Sequence, residues 1–305
     1  MSSPGEGEPR TADAERMRPK LLALAYRMLG SAADAEDAVQ DAYLRFQETA
    51  GVAAPDAWLV KATTRLCIDR LRKAKRRAEY VGPWLPEPIS DAWEGAATDR
   101  LELAESLSMA FLVLLESLAP AERAAYLLRE VFDYEFEEIA ALLNKTVVNV
   151  RQITARAKKR LGQRERRFRP AVGLADALAA RFFDACRSGD IEAIEALLSP
   201  EAVYYSDGGG NAPAAPKPVC GRRKIANLLS VVFRKRQRDC VLSPTTVNGQ
   251  PGVVFVKEGK AVQVLTFAAE QGGVGALYSV LNPNKLQRWS AADPNETAGP
   301  LTRDS

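Results

Sequence analysis

Apolar residues recur at three- and four-residue steps through most of the chain, and only towards its end do runs fit strands better. Leu21, Leu22, Leu24, Ala25, Met28 and Leu29 predict a helix that stops at Gly30, a natural residue for a helix C-terminus. Ala35, Ala38, Val39, Ala42, Tyr43 and Phe46 form the next stripe, with Ser31 placed to cap it and Asp34, Glu36 and Asp37 at its positive end. A third helix opens at Pro55–Asp56 and turns Trp58, Leu59, Ala62 and Leu66 to one side. These three predict a bundle over about residues 15–78, after a disordered tail at 1–14. Residues 79–98 carry three prolines, two glycines and two tryptophans, a composition that predicts a linker. Trp84 and Leu85 in it read as anchors for a neighbouring surface, since an exposed tether rarely spends such side chains.

From Asp99 the helical pattern resumes. Leu101, Leu103, Leu107, Phe111, Leu114, Leu115 and Leu118 predict one helix, stopped at Pro120, and residues 121–132 predict the next. Phe136, Ile139, Ala140 and Leu143 then line a short helix. Asn144–Lys145 supplies a tight turn, and Thr146 can cap a second helix with Val150 and Ile153 buried. Two short helices so joined, the second rich in arginine and lysine, predict a helix-turn-helix within a domain at 99–162. In that geometry Val147, Val148, Asn149, Arg151 and Gln152 reach base edges, and Arg156, Lys158 and Lys159 hold phosphates. A basic linker at 163–171 leads to a third domain at 172–290 and a flexible tail at 291–305. Helices at 174–187 and 191–198 come first, and a third at 221–235 follows the first strand. Strands near 202–206, 238–247, 252–257, 261–269 and 274–280 suggest an antiparallel sheet. The fold class expected is thus multidomain: two all-α helical domains followed by an α+β cone.

Charge sharpens this picture. Residues 65–77 hold seven Lys/Arg against Asp69, a net +6, and residues 151–169 hold nine against Glu165, a net +8. With +3 for the whole chain, everything else sums to −11. Two concentrated basic patches on an otherwise acidic chain fit a two-point grip on nucleic acid. Histidine is absent, which removes His-based triads, most zinc sites and the usual near-neutral proton switch. No metal site and no cofactor are expected. The four cysteines show no CxxC pairing and suit a reducing compartment. The N-terminus has no apolar core segment, and the longest apolar run, Met109 to Leu115, is far too short to span a bilayer. A cytoplasmic protein without a membrane partner is the expectation.

The wording DAEDAVQDAYLRF followed by AWLVKATTRLCIDRLR resembles conserved region 2 of the sigma-70 family, in its extracytoplasmic-function branch. DYEFEEIAALLNKTVVNVRQITARAKKRL, entered through Leu118, Pro120 and Arg123, resembles region 4. The last domain resembles SnoaL-like members of the nuclear transport factor superfamily. Trp84-Leu85-Pro86-Glu87-Pro88, Asp207-Gly208-Gly209-Gly210 and Asn282-Pro283-Asn284-Lys285-Leu286 match motifs of sigma factors that carry such a domain. The resemblance implies two partners, core RNA polymerase and promoter DNA. Asp34, Asp37, Gln40, Asp41 and Leu44 would bind the polymerase. Arg65, Asp69, Arg70, Arg72, Lys73 and Arg76 would take the −10 element with its unstacked bases, and the helix-turn-helix would take the −35 element. Arg65 stands where that branch commonly has Asn, and Asn284 where the fused version usually has Asp. Trp84, Leu85, Pro86, the Asp207–Gly210 loop, Asn282, Pro283, Lys285 and Leu286 would form an interdomain regulatory contact through which the last domain acts in cis.

Two further readings compete. One is a helix-turn-helix regulator with a cone that binds a small molecule, which leaves the acidic helix without a task. The other is a cone-fold enzyme, for which Asp207 is the one obvious base; beside three glycines it reads better as a turn former. A non-enzymatic factor is therefore expected, with any small ligand of the cone unassigned.

Overall fold

The structure is a computed structural model that describes residues 7–73, 80–96, 106–165, 174–236, 238–270 and 272–289. It divides into two compact units: Met1–Ala78 with Asp91–Arg166, and Glu79–Ser90 with Arg167–Ser305. The stretch expected as one linker at 79–98 is therefore shared. Its first part belongs to the C-terminal unit and residues from Asp91 on belong to the helical one.

In the helical unit, α1 (Gly7–Leu29) packs against α2 (Ala32–Glu48) and α3 (Pro55–Lys73). The helix reaches back to Gly7, into the stretch expected as a tail. Ser31 caps α2, its side chain accepting from the Asp34 N–H at 3.2 Å. The predicted stripe is buried except Tyr43, which is half-buried. In α3 the buried set is Leu59, Val60, Thr63, Thr64, Leu66, Cys67 and Ile68; of the four positions expected, Leu59 and Leu66 belong to it, while Trp58 and Ala62 are half-buried.

Leu101 and Leu103 lie outside the described residues. The described helix starts later than predicted, as α4 (Met109–Leu115), because Ser108 interrupts the pattern with a cap and accepts from the Phe111 N–H at 3.3 Å. α5 (Pro120–Glu130) opens on proline, and Glu122 reaches back to the Ala119 N–H at 3.1 Å. The two helical modules pack into one unit through buried arginines. Arg123, 2% exposed, donates to the Met28 carbonyl at 2.7 Å and to Glu116 at 2.9 Å. Arg27, 1% exposed, donates to the Ala23 carbonyl and to Ser106 Oγ, both at 2.8 Å. Burial holds both guanidinium groups below their ordinary range, Arg27 to about 9 and Arg123 to about 10.

The C-terminal unit opens with α8 (Leu174–Ser188) and α9 (Ile191–Leu197), and α10 (Arg222–Arg236) comes later, between strands. Its six strands are β1 (Leu198–Asp207), β2 (Val219–Cys220), β3 (Val241–Val247), β4 (Gln250–Lys257), β5 (Lys260–Glu270) and β6 (Gly273–Val280), ordered β2-β1-β6-β5-β4-β3. The sheet is mixed rather than antiparallel throughout. The first long strand lies parallel to the last, because α10 and the β3–β5 meander intervene before the chain returns beside it. Tyr204, Leu277 and Phe267 stand in register on one face, with Val253 and Leu265 beside them. That face shares a core with Phe182 of α8 and Leu229 and Phe233 of α10. The alternate residues Val254, Val264, Thr266, Tyr278 and Val280 are buried too.

Candidate functional site

On α2, Asp37, Gln40, Asp41 and Leu44 recur at steps of three and four and so share a stripe. Asp34, Asp37 and Gln40 are exposed and Asp41 half-buried, while Leu44 remains 53% exposed, an apolar side chain among carboxylates. On α3, Arg65, Asp69, Arg72 and Lys73 are exposed, and Arg72 lies 3.6 Å from Asp69. Arg70 is different. It donates to Asp41 at 2.7 Å and to the Asp34 carbonyl at 2.9 Å, and lies 3.9 Å from Asp37. One side chain thus belongs to both the basic and the acidic surface. Arg76 lies outside the described residues.

The helix-turn-helix pairs α6 (Phe136–Leu143) with α7 (Val147–Glu165). Asn144 adopts the left-handed conformation at φ 53°, ψ 51°, and Thr146 Oγ1 accepts from the Asn149 N–H at 3.2 Å. Val150 and Ile153 face inward; Val148, Asn149, Arg151, Gln152, Arg156, Lys158 and Lys159 are exposed, and Val147 is half-buried. Val148 is 65% exposed, which no packing role explains. Two of these cations carry internal partners: Arg151 pairs with Glu137 at 3.4 Å and stacks over Phe136, and Lys158 pairs with Glu130 at 2.6 Å.

The third cluster lies in the C-terminal unit. Residues 80–90 run as an extended strap with Leu85, Pro86, Glu87, Pro88 and Ile89 buried. Asp207, at the end of β1, is fully buried and takes three donors: the Tyr80 hydroxyl at 2.5 Å, Lys285 Nζ at 2.7 Å and the Leu85 N–H at 2.8 Å. A buried carboxylate survives only when its charge is met in this way. Lys285 also donates to the Leu85 carbonyl and lies 4.2 Å over the Trp84 ring. Burial, and next the bond to Asp207, push the Tyr80 hydroxyl far up, so it remains a donor. Asn282 donates to Tyr80 at 2.7 Å, and a Cβ on Gly209 would come within 2.2 Å of the Asn282 amide. On Gly208 it would meet the Ala212 carbonyl at 2.1 Å. Gly210, at φ +77°, faces Val81. Leu286 is buried and Pro283 opens a short 3-10 turn.

The strap's far end is held at the β3–β4 turn. Asn248 accepts from the Ile89 N–H at 3.1 Å and its own N–H donates to the Ile89 carbonyl at 2.9 Å. Arg288 donates to Glu87 at 3.1 Å, and the Trp289 indole to the Pro88 carbonyl at 2.9 Å. Sequence reasoning missed Tyr80, Asn248, Arg288 and Trp289. Asn248–Gly249 was a legible hairpin turn signal, whereas the other three sit in no recognisable pattern. Trp93, from the same predicted linker, instead packs on Tyr26 and donates to Glu36 at 2.9 Å within the helical unit. Among the described residues no metal-ligating cluster occurs, and no helix is long and apolar enough to cross a membrane.

Residues 14–77 match the family model for sigma-70 region 2, and residues 108–161 that for sigma-70 region 4. Across 297 residues the chain is 34% identical to the ECF RNA polymerase sigma factor SigJ of Mycobacterium tuberculosis, covering 90% of this chain and 92% of that relative. This chain belongs to the ECF RNA polymerase sigma factors. It is also 27% identical to the probable ECF sigma factor SigI of the same organism, over 92% of this chain and 95% of the relative. The crystal structure of the Mycobacterium tuberculosis SigJ superposes with a TM-score of 0.73 at 29% identity, covering 90% of this chain and 97% of that one. As an ECF sigma factor the protein is an alternative sigma factor that directs RNA polymerase to promoters. Sigma factors in general work by binding and not by chemistry of their own. The coverage of SigJ takes in the sheet-containing C-terminal unit as well as the two sigma regions.

Proposed function

We propose that this sigma factor holds core RNA polymerase through the α2 stripe of Asp34, Asp37, Gln40, Asp41 and Leu44. The basic face of α3, with the exposed Arg65, Asp69, Arg72 and Lys73 and the half-buried Arg70, and Arg76 beyond it in sequence, takes the −10 element and its unstacked bases. Val148, Asn149, Arg151 and Gln152 read the −35 element, while Arg156, Lys158 and Lys159 grip its phosphates. Arg70 couples the first two surfaces, since a partner that competes for Asp41 frees a guanidinium on the DNA-facing helix.

The C-terminal unit acts in cis, as a domain that constrains the connection between regions 2 and 4. The observation that carries this reading is the buried Asp207 latch. A segment lying between the two sigma regions in sequence is clamped at Tyr80, Leu85 and Ile89 by a domain from the far end of the chain. A promoter that needs regions 2 and 4 at a particular separation is therefore sensitive to whether the strap is docked. Deleting residues 172–305 and measuring purified transcription with core polymerase tests it. The expected result is promoter output changed at least threefold; output identical to full length sinks the regulatory reading.

A further inference from the structure

A third basic surface, in the C-terminal unit and apart from both sigma regions, belongs to none of the sites above. Arg234, Lys235 and Arg236 end α10, and Arg238 follows in the turn closed by the Asp239 and Cys240 N–H groups on the Arg236 carbonyl. That turn feeds β3, whose Val241 pairs with Val256 of β4. The adjoining β4–β5 turn adds Lys257 and Lys260, which face each other in register, and Lys257 Nζ lies 3.9 Å from Asp239. Residues 234–239 and 257–260 thus hold six cations against two carboxylates, Asp239 and Glu258, and the approach of Lys257 to Asp239 joins the two segments.

The opposite end of the same helix makes the contrast. There Arg222 and Arg223 are neutralised by Glu195 at 3.5 and 2.8 Å, with Glu192 3.8 Å from Arg223. At the carboxyl end, Lys235, Arg238 and Lys260 are exposed and have no carboxylate within 4 Å among the described residues. A helix dipole favours cations in its last turn, which accounts for Arg234, Lys235 and Arg236. It does not account for Arg238, which stands in the turn after the helix, or for Lys257 and Lys260, which end β4 and open β5 on either side of their turn.

We propose that this end of α10, with the β4–β5 turn, docks on the phosphate backbone of duplex DNA, in addition to the binding by regions 2 and 4. Its docking is independent of sequence, because such cations meet phosphate oxygens and read no base edges. This surface is distinct from the strap, so its docking does not depend on the strap being regulatory.

The test uses the full-length chain and a fluorescent 30-base-pair duplex of arbitrary sequence, with anisotropy titrations at several KCl concentrations. In the triple variant K235Q/R238Q/K260Q the slope of log affinity against log salt should fall by about two to three, at ~0.9 for each phosphate no longer neutralised. Affinity at the lowest salt should drop at least tenfold. R222Q/R223Q, which removes cations already paired, should leave the slope unchanged. An unchanged slope in the triple variant overturns the proposal, and so does an equal fall in the control, which would mean that net charge alone matters. Equal melting temperatures exclude unfolding; if the triple variant melts early, the single reversals Lys235→Glu and Lys260→Glu give the same reading with less disturbance.

Discussion

At the scale of single residues, burial decides chemistry. Cys67 and Cys186 are buried and Cys220 is exposed. Desolvation pushes the Cys67 thiol up to about 12 and moves Cys186 in the same direction. Native protein treated with iodoacetamide at pH 8.5 should therefore be alkylated at Cys220 while Cys67 and Cys186 react only after unfolding, as mass mapping of peptides can check. The sign for stability follows. Because the folded state keeps the Cys67 proton beyond the unfolded thiol's ordinary range, that stability is complete below about pH 9. It is lost as pH rises from there towards 12. The cysteine spacing alone excluded a CxxC site, but it could not separate an inert thiol from an open one, since exposure is not written in spacing.

At the scale of elements, the helices of the sigma regions were largely legible. Ser31, Gly30, Pro55 and the three- and four-residue stripes act within a turn or two of themselves, so local chemistry suffices to place them. The turn of the helix-turn-helix is the sharpest case. Asn144 takes the left-handed conformation that its short polar side chain tolerates and a β-branched one does not. Asn144→Gly should leave stability within a few tenths of a kcal/mol, whereas Asn144→Val should cost about 1–2 kcal/mol and weaken duplex binding in step. Thermal melting beside an anisotropy titration reads both. The sheet was harder. The five long strands could be found from their own composition, but the two-residue β2 was missed because so short a pairing leaves no pattern. The parallel pairing of β1 with β6 joins residues about seventy positions apart, and no local pattern records it.

At the scale of the whole molecule, the buried latch gives a direct prediction. Asp207→Asn leaves Lys285 with a desolvated charge and weakens two bonds to the strap, so the C-terminal unit should lose about 3 kcal/mol. Its melting temperature should fall by roughly 6–12 °C, and limited proteolysis should cut within residues 80–90 sooner than in the parent. Unchanged cutting would mean that the strap is held by Leu85, Ile89 and Asn248 alone. What the chain's order of residues determined by itself is the set of helices, the five long strands, the two basic runs and the motifs around Trp84, Asp207 and Lys285, because capping, periodicity and charge act over a few residues. What only tertiary structure decided is that residues 80–90 leave the helical unit to complete another, and that Tyr80, Asp207 and Lys285 meet. Burying a carboxylate requires donors to converge from wherever the fold can supply them, and that convergence belongs to packing between distant segments.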